Sequence, residues 1–212
     1  MSGVREARRQ VRFTRIFEAT MEIFAAQGIA AIRLSDIASR VGMSPGHLYH
    51  YFDSKSDLLV RTLRWEEDRF YEEFERNTKH LTSPTDRIAA LVEEWAPTGR
   101  TDVTWLLWLE VSSLSRNDPQ VAESFAPIDA RSRKTWAALV REGQKDGVFR
   151  TDVDPTAFAL RFSALTEGLA IRLISGLPGA SPKVIRSICL AELERTLGCS
   201  LGRGKPVSAV KG

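Results

Sequence analysis

Apolar residues recur every three or four positions along nearly the whole chain, and no stretch reads convincingly as a strand. Phe13, Ile16, Phe17, Thr20, Ile23 and Phe24 form the first such stripe. They predict a helix that ends at Gly28, read as a left-handed cap. Leu34, Ile37, Ala38 and Val41 mark one face of a short second helix stopping at Gly42. Ser44 then offers its hydroxyl to orphan backbone N–H groups, and Pro45 takes the first helical position, where a missing donor does no harm. Two short helices joined by a tight turn and covered by the first make a helix-turn-helix. The third helix carries His47, Tyr49, His50 and Tyr51, all able to hydrogen-bond. The helical period sends Leu48 and Phe52 inward instead.

Ser54, followed three residues on by Asp57, reads as a capping box, and residues 54–81 continue as one long helix with Leu58, Leu59, Leu63, Phe70 and Phe74 inward. Five further segments, beginning near residues 82, 103, 118, 154 and 181, are helical by period and start on Ser, Thr, Asp or Pro. The fold class predicted is all-α with about nine helices. A three-helix domain over residues 1–55 is joined by the long helix, expected as the sole covalent link, to a helical domain over 56–198. The tail 199–212, "CSLGRGKPVSAVKG", is low in complexity and is expected to be disordered.

Composition adds bounds. With 43% hydrophobic and 27% charged residues the 212-residue chain matches a soluble globular protein. No window reaches the length of a membrane span, and "MSGVREARRQ" lacks an apolar signal core, so a cytoplasmic location is expected. Cys189 and Cys199 have no metal-ligand spacing and are expected as free thiols. A net charge of +3 says little about nucleic acid by itself. Its placement says more: residues 1–16 hold Arg5, Arg8, Arg9, Arg12 and Arg15 against Glu6 alone. This basic arm either meets phosphate or merely solubilises the terminus.

The residues from about 10 to 60 resemble the DNA-binding domain of the tetracycline-repressor (TetR) family: a Gly-ended first helix, then "DIA", "VG", Gly46, "LYHYF", and a Lys followed by "LL". "TWLLWLEVSSLSRNDPQVAE" and "VREGQKDGVFRTDVDP" are similar to C-terminal domains of regulators grouped with the betaine-synthesis repressor. The resemblance implies double-stranded DNA as a partner, bound as a palindromic operator by a homodimer, and a small-molecule inducer of unknown identity. It implies that Ser44, Pro45 and Gly46 start the recognition helix, that His47 reads a base edge, and that Tyr49, His50 and Tyr51 touch phosphate or neighbouring bases. Lys55, at the N-terminus of the long helix, is implied to reach a phosphate. Arg33 and Ser35 are the remaining DNA-binding candidates. Here the chain departs from the family, which usually has a hydroxyl residue at 32 or 33; Ser35 is expected to supply the cap. Tyr49 has a second reading, packing of its ring against the first helix.

The same resemblance implies a four-helix dimer interface built from the last two helices, with Phe158, Phe162, Leu165, Leu169, Ile185, Ile188 and Leu193 as its apolar positions. Trp95, Trp105 and Trp108 are concentrated in one span, Trp136 is expected opposite them in a following helix, and two readings stand. Aromatic faces with a carboxylate make a cage for an alkylammonium ligand, and large rings also simply fill a core. Trp105, Trp108, Ser112, Thr166 and Glu167 are the candidate pocket residues; for Glu167 a structural ion pair is the alternative.

Catalytic readings find no footing. There is no Glu-x-x-His pair, no Gly-rich phosphate loop and no G-x-S-x-G elbow, so no catalytic residue, metal or cofactor is expected. The sequence reads as a ligand-responsive DNA-binding regulator, most simply a repressor. The alternative is an all-α adaptor that keeps an unused helix-turn-helix.

Overall fold

Nine α-helices and no strand make up the described part of the chain, residues 2–201 of a computed structural model, in agreement with the all-α class. They are α1 (Ser2–Gln27), α2 (Leu34–Arg40), α3 (Pro45–Tyr49), α4 (Lys55–Thr78), α5 (Pro84–Trp95), α6 (Val103–Ser115), α7 (Pro119–Lys145), α8 (Pro155–Ile174) and α9 (Pro182–Leu197). The tail from residue 202 onward, expected to be disordered, lies outside the described residues.

The helix starts follow local chemistry. Pro opens α3, α5, α7, α8 and α9, where its missing N–H costs nothing. The Asp154 carboxylate accepts from the Ala157 N–H at 2.7 Å, and the Ser181 hydroxyl from the Val184 N–H at 3.3 Å. Two starts and one stop differ from expectation. The basic N-terminal segment is not a separate arm, because α1 already runs from Ser2 through residues that favour helix and contain no Pro or Gly between Val4 and Gln27. Gly28 has a positive φ of 77° but an extended ψ of 168°, so it is not a left-handed cap. It turns the chain into a 3-10 turn at Ile29–Ala31 that buries Ile32. Ser35 does not cap α2: the helix starts one residue earlier, at Leu34, which leaves Arg33 as an extended N-cap without a side-chain bond.

The described residues divide into two units, 2–68 with 103–125 and 69–102 with 126–201. The chain passes between them at 68–69, 102–103 and 125–126, so the long helix α4 is not the sole covalent link. In the first unit Ile16, Phe17, Ile37, Leu48, Phe52, Leu58 and Leu63 are buried together at the centre of the three-helix domain and the start of α4. In the second, Phe74, Ile88, Leu91, Trp136, Phe162, Ile185 and Leu193 belong to one core, with Trp136 edge-on to Phe162 at 4.7 Å.

That second core corrects the choice of interface residues. Phe158, Phe162, Ile185 and Leu193 are buried inside the chain's own unit, and Leu165 and Leu169 pack against the same core. The four buried side chains already have partners, and a second copy could reach them only by opening the unit; Leu165 and Leu169 are half-buried at its edge. Of the seven only Ile188 is exposed, at 39%. The apolar face left open lies a third of a helical turn away. Leu160, Ala164, Gly168 and Ile171 line it on α8, and Val184, Ile188 and Ala191 on α9.

Candidate nucleic-acid interface and ligand residues

The helix-turn-helix is held by short-range bonds that leave one side of α3 free. Gly42, at φ 72°, reverses the chain after α2, and Ser44 then accepts from the His47 N–H at 3.3 Å. Leu48 and Phe52 point into the core with no exposed surface, while His47, Tyr49 and His50 face outward. No atom lies within 4 Å of where a Cβ would stand on Gly46, and its φ is not in the positive range. The fold therefore does not require glycine there, and the bare backbone leaves the outer surface open at this point.

The reading of Tyr49 as packing against the first helix is corrected: Tyr49 is 57% exposed, and Tyr51 packs there instead. The Tyr51 ring meets Phe13 edge to face at 5.4 Å and stacks on His47 at 5.3 Å. Its hydroxyl accepts from Arg12 Nη1 at 2.6 Å and lies 3.1 Å from His47 Nε2. Arg61, from the second turn of α4, closes the other end. It donates to the Tyr51 carbonyl at 2.6 Å and lies over the rings of Phe52 and Phe13. Sequence reasoning singled out neither arginine for these roles. The signal for Arg12 was present in the spacing of Arg8, Arg12 and Arg15, which share one face of α1. With Val41 to Ser44 and His47 they line a groove of about 490 Å³ beside the recognition helix.

Lys55 stands at the first turn of α4, where Ser54 accepts from the Asp57 N–H at 3.1 Å. The reciprocal bond of the capping box is displaced by one residue, since Asp57 accepts from the Asp53 N–H rather than from Ser54. Lys55 Nζ donates to the Ile29 carbonyl at 2.6 Å. Arg33, Ser35, Ser44 and Pro45 are exposed around the same helix-turn-helix.

The candidate ligand residues fall in separate units. In the first, Trp105 is buried and lies 5.9 Å from Trp108, which meets Phe125 edge to face at 5.4 Å. Ser112 is half-buried one turn further along α6. In the second unit Thr166 is buried and donates its hydroxyl proton to the backbone of its own helix, with the Phe162 and Ser163 carbonyls at 3.0 and 2.8 Å. Glu167, one residue on, is half-buried, and desolvation pushes its carboxyl up to about 7. The field of Asp129 raises it further and Arg133 opposes this; Asp129 and Arg133 themselves pair at 2.6 Å. Glu167 is thus a carboxylate held at the edge of ionisation, with no hydrogen-bonded arginine of its own among the described residues. Trp136, expected opposite the other tryptophans, is core of the second unit. Cys189 and Cys199 are free, and burial pushes the Cys189 thiol up to about 12. Among the described residues no helix is long and apolar enough to cross a membrane.

Comparison with known proteins bears on both parts of the chain. Residues 16–62 match the model of bacterial regulatory proteins of the tetR family, and residues 84–198 match that of the BetI-type transcriptional repressor C-terminal domain. The chain is 30% identical over 188 residues to the transcriptional regulator BetI of Rhizobium meliloti, covering 86% of each protein. It is 29% identical over 175 residues to the transcriptional repressor KstR2 of Rhodococcus jostii, covering 82% of this chain and 83% of that one. A transcriptional regulator from Saccharomonospora viridis, solved in complex with choline, superposes with a TM-score of 0.76 at 32% identity, over 87% of this chain and 96% of that one. A helix-turn-helix with its polar face open, followed by a BetI-type helical region that spans more than half of the sequence, therefore places this chain in the TetR family, as a DNA-binding transcriptional regulator.

Proposed function

We propose that the protein is a ligand-responsive repressor that binds a palindromic operator as a homodimer and leaves it when a small-molecule inducer binds. The observation that carries the DNA part is the division of α3, with Leu48 and Phe52 in the core and His47, Tyr49 and His50 held outward. A helix this short enters the major groove by its N-terminal end, so His47 is assigned to a base edge. Tyr49, His50, Lys55 and the exposed Arg33 and Ser35 are assigned to phosphates, and Arg8 and Arg15 flank them from α1. The open face of α8 and α9, with Leu160, Ile171, Val184 and Ile188, is assigned to the second copy.

For the inducer, a choline-bound relative of 32% identity supports a quaternary ammonium compound. Such a cation takes aromatic faces and a carboxylate. Trp105, Trp108 and Ser112 in the first unit and Thr166 and Glu167 in the second are assigned to ligand response, each through its own substitution. Trp108→Ala should abolish release by choline while leaving operator affinity without choline within about 1 kcal/mol. The protein acts in the cytoplasm and has no catalytic activity of its own on this reading.

The test of the DNA assignment is selection of binding sites from random duplexes, followed by salt-titrated gel shifts. His47→Ala should cost about 1–3 kcal/mol and relax preference at one position per half-site. If no salt-sensitive binding to any duplex is found, the adaptor reading takes its place.

A further inference from the structure

The hydroxyl of Tyr51 lies between a cation and an imidazole. Arg12 Nη1 is 2.6 Å from the phenolic oxygen, and His47 Nε2 is 3.1 Å from it. The ring is held on both faces of this arrangement, stacked on His47 and edge-on to Phe13, so it cannot swing away without breaking both. The Arg12 guanidinium adds a position over the Tyr51 ring, 5.8 Å from its centroid.

The direction of the chain follows from what each group can do. A guanidinium has donors only, so the phenolic oxygen accepts from Arg12. Accepting from a cation polarises the hydroxyl to donate on its other side, and His47 Nε2 stands within reach there. The reverse arrangement, with His47 donating, would make the phenol accept twice and leave its own proton aimed at neither partner.

We propose that the chain Arg12–Tyr51–His47 holds His47 as the tautomer protonated on Nδ1, and thereby sets which bases the recognition helix accepts. An imidazole whose Nε2 is occupied as an acceptor presents an N–H donor at Nδ1. It suits acceptors on the major-groove edge: N7 or O6 of guanine, N7 of adenine, O4 of thymine. It rejects the N4 amino group of cytosine, which is itself a donor. Arg12 and Tyr51 are positioning residues here, acting through His47 without touching a base. The inference rests on the assignment of His47 to a base edge made above.

Two measurements separate the two ideas. Nitrogen NMR of the His47 ring, on the full chain without DNA at mildly alkaline pH, should find Nε2 unprotonated and Nδ1 protonated. Tyr51→Phe, which keeps the ring but removes the hydroxyl, should shift that spectrum toward a mixture of tautomers; Arg12→Gln, on an exposed helix face, should do the same and provides a second variant if the first folds poorly. A protonated Nε2 in the wild-type protein overturns the proposal. In selection from random duplexes, Tyr51→Phe should flatten by about fivefold or more the preference at the position that His47→Ala relaxes, while other positions hold; an unchanged preference there overturns the link to base choice. If His47→Ala changes no position, the base-edge assignment fails, and the NMR result still decides the tautomer.

Discussion

The ammonium of Lys55 donates to the main-chain carbonyl of Ile29 at 2.6 Å, tying the first turn of α4 to the 3-10 turn that follows α1. An ammonium has three protons, so this bond leaves two for a phosphate. The residue thus has a part in the fold as well as in the interface assigned to it. Lys55→Ala should lower stability by about 1–2 kcal/mol, by removing a charge-assisted hydrogen bond to the Ile29 carbonyl, which then keeps only the Ile32 N–H. It should also weaken binding to all duplexes alike and reduce the slope of log affinity against log salt by about one for each phosphate no longer neutralised. Urea unfolding measures the first and salt-titrated gel shifts the second. An unchanged salt slope would confine Lys55 to the fold.

Gly143 and Phe149 give a prediction about the second unit. A Cβ on Gly143 would overlap the ring of Phe149, which is 3% exposed. Gly143→Ala should therefore cost about 1–3 kcal/mol through overpacking. Adding Phe149→Leu should return part of the loss, and thermal unfolding of the single and double variants checks both.

For the dimer, burial separates two kinds of apolar residue on the same helices. Ile171→Glu and Ile188→Glu place charge on the open face and should yield folded monomers by sedimentation, with helical content kept in circular dichroism. Phe162→Glu places charge against Trp136 in the core and should unfold the protein instead, since an unpaired buried charge is among the costliest substitutions. Dimers that persist in both exposed-face variants would place the interface elsewhere.

Glu167 supplies a pH dependence. Its carboxyl is pushed up to about 7 from an ordinary 4.5, so between these values the folded chain keeps a proton that the unfolded chain has lost. Stability from this group is then greatest at the acid end and falls as pH rises toward 7. Glu167→Gln should remove that slope and stabilise the protein above neutral pH by about 1–2 kcal/mol, the full effect being discounted for solvent screening. If Glu167 meets the cationic inducer, choline affinity by calorimetry should rise with pH through about 7 in the wild type and stay flat in the glutamine variant. Equal pH profiles would remove Glu167 from the ligand site.

Features that depend on a few neighbouring residues were legible in the chain alone. Helical period marked the elements, Ser44, Pro45, Asp154 and Ser181 announced helix starts, and the spacing of Leu48 and Phe52 separated the core side of α3 from its open side. The density of the helix-turn-helix motif carried the family. Features that depend on distant partners were settled only by packing. A stripe of Phe158, Phe162, Ile185 and Leu193 is apolar whether it meets its own core or a second copy; here the chain's own α5 and α7 residues fill that side. Tyr49 and Tyr51 are alike to a reader of sequence, yet Phe13 and Arg12, far back on α1, hold one and leave the other in solvent. The shifted carboxyl of Glu167 likewise exists only because the fold half-buries it and α7 brings Asp129 near. Periodicity records which face of a helix avoids water, and the partner that relieves it of water is chosen by the rest of the fold.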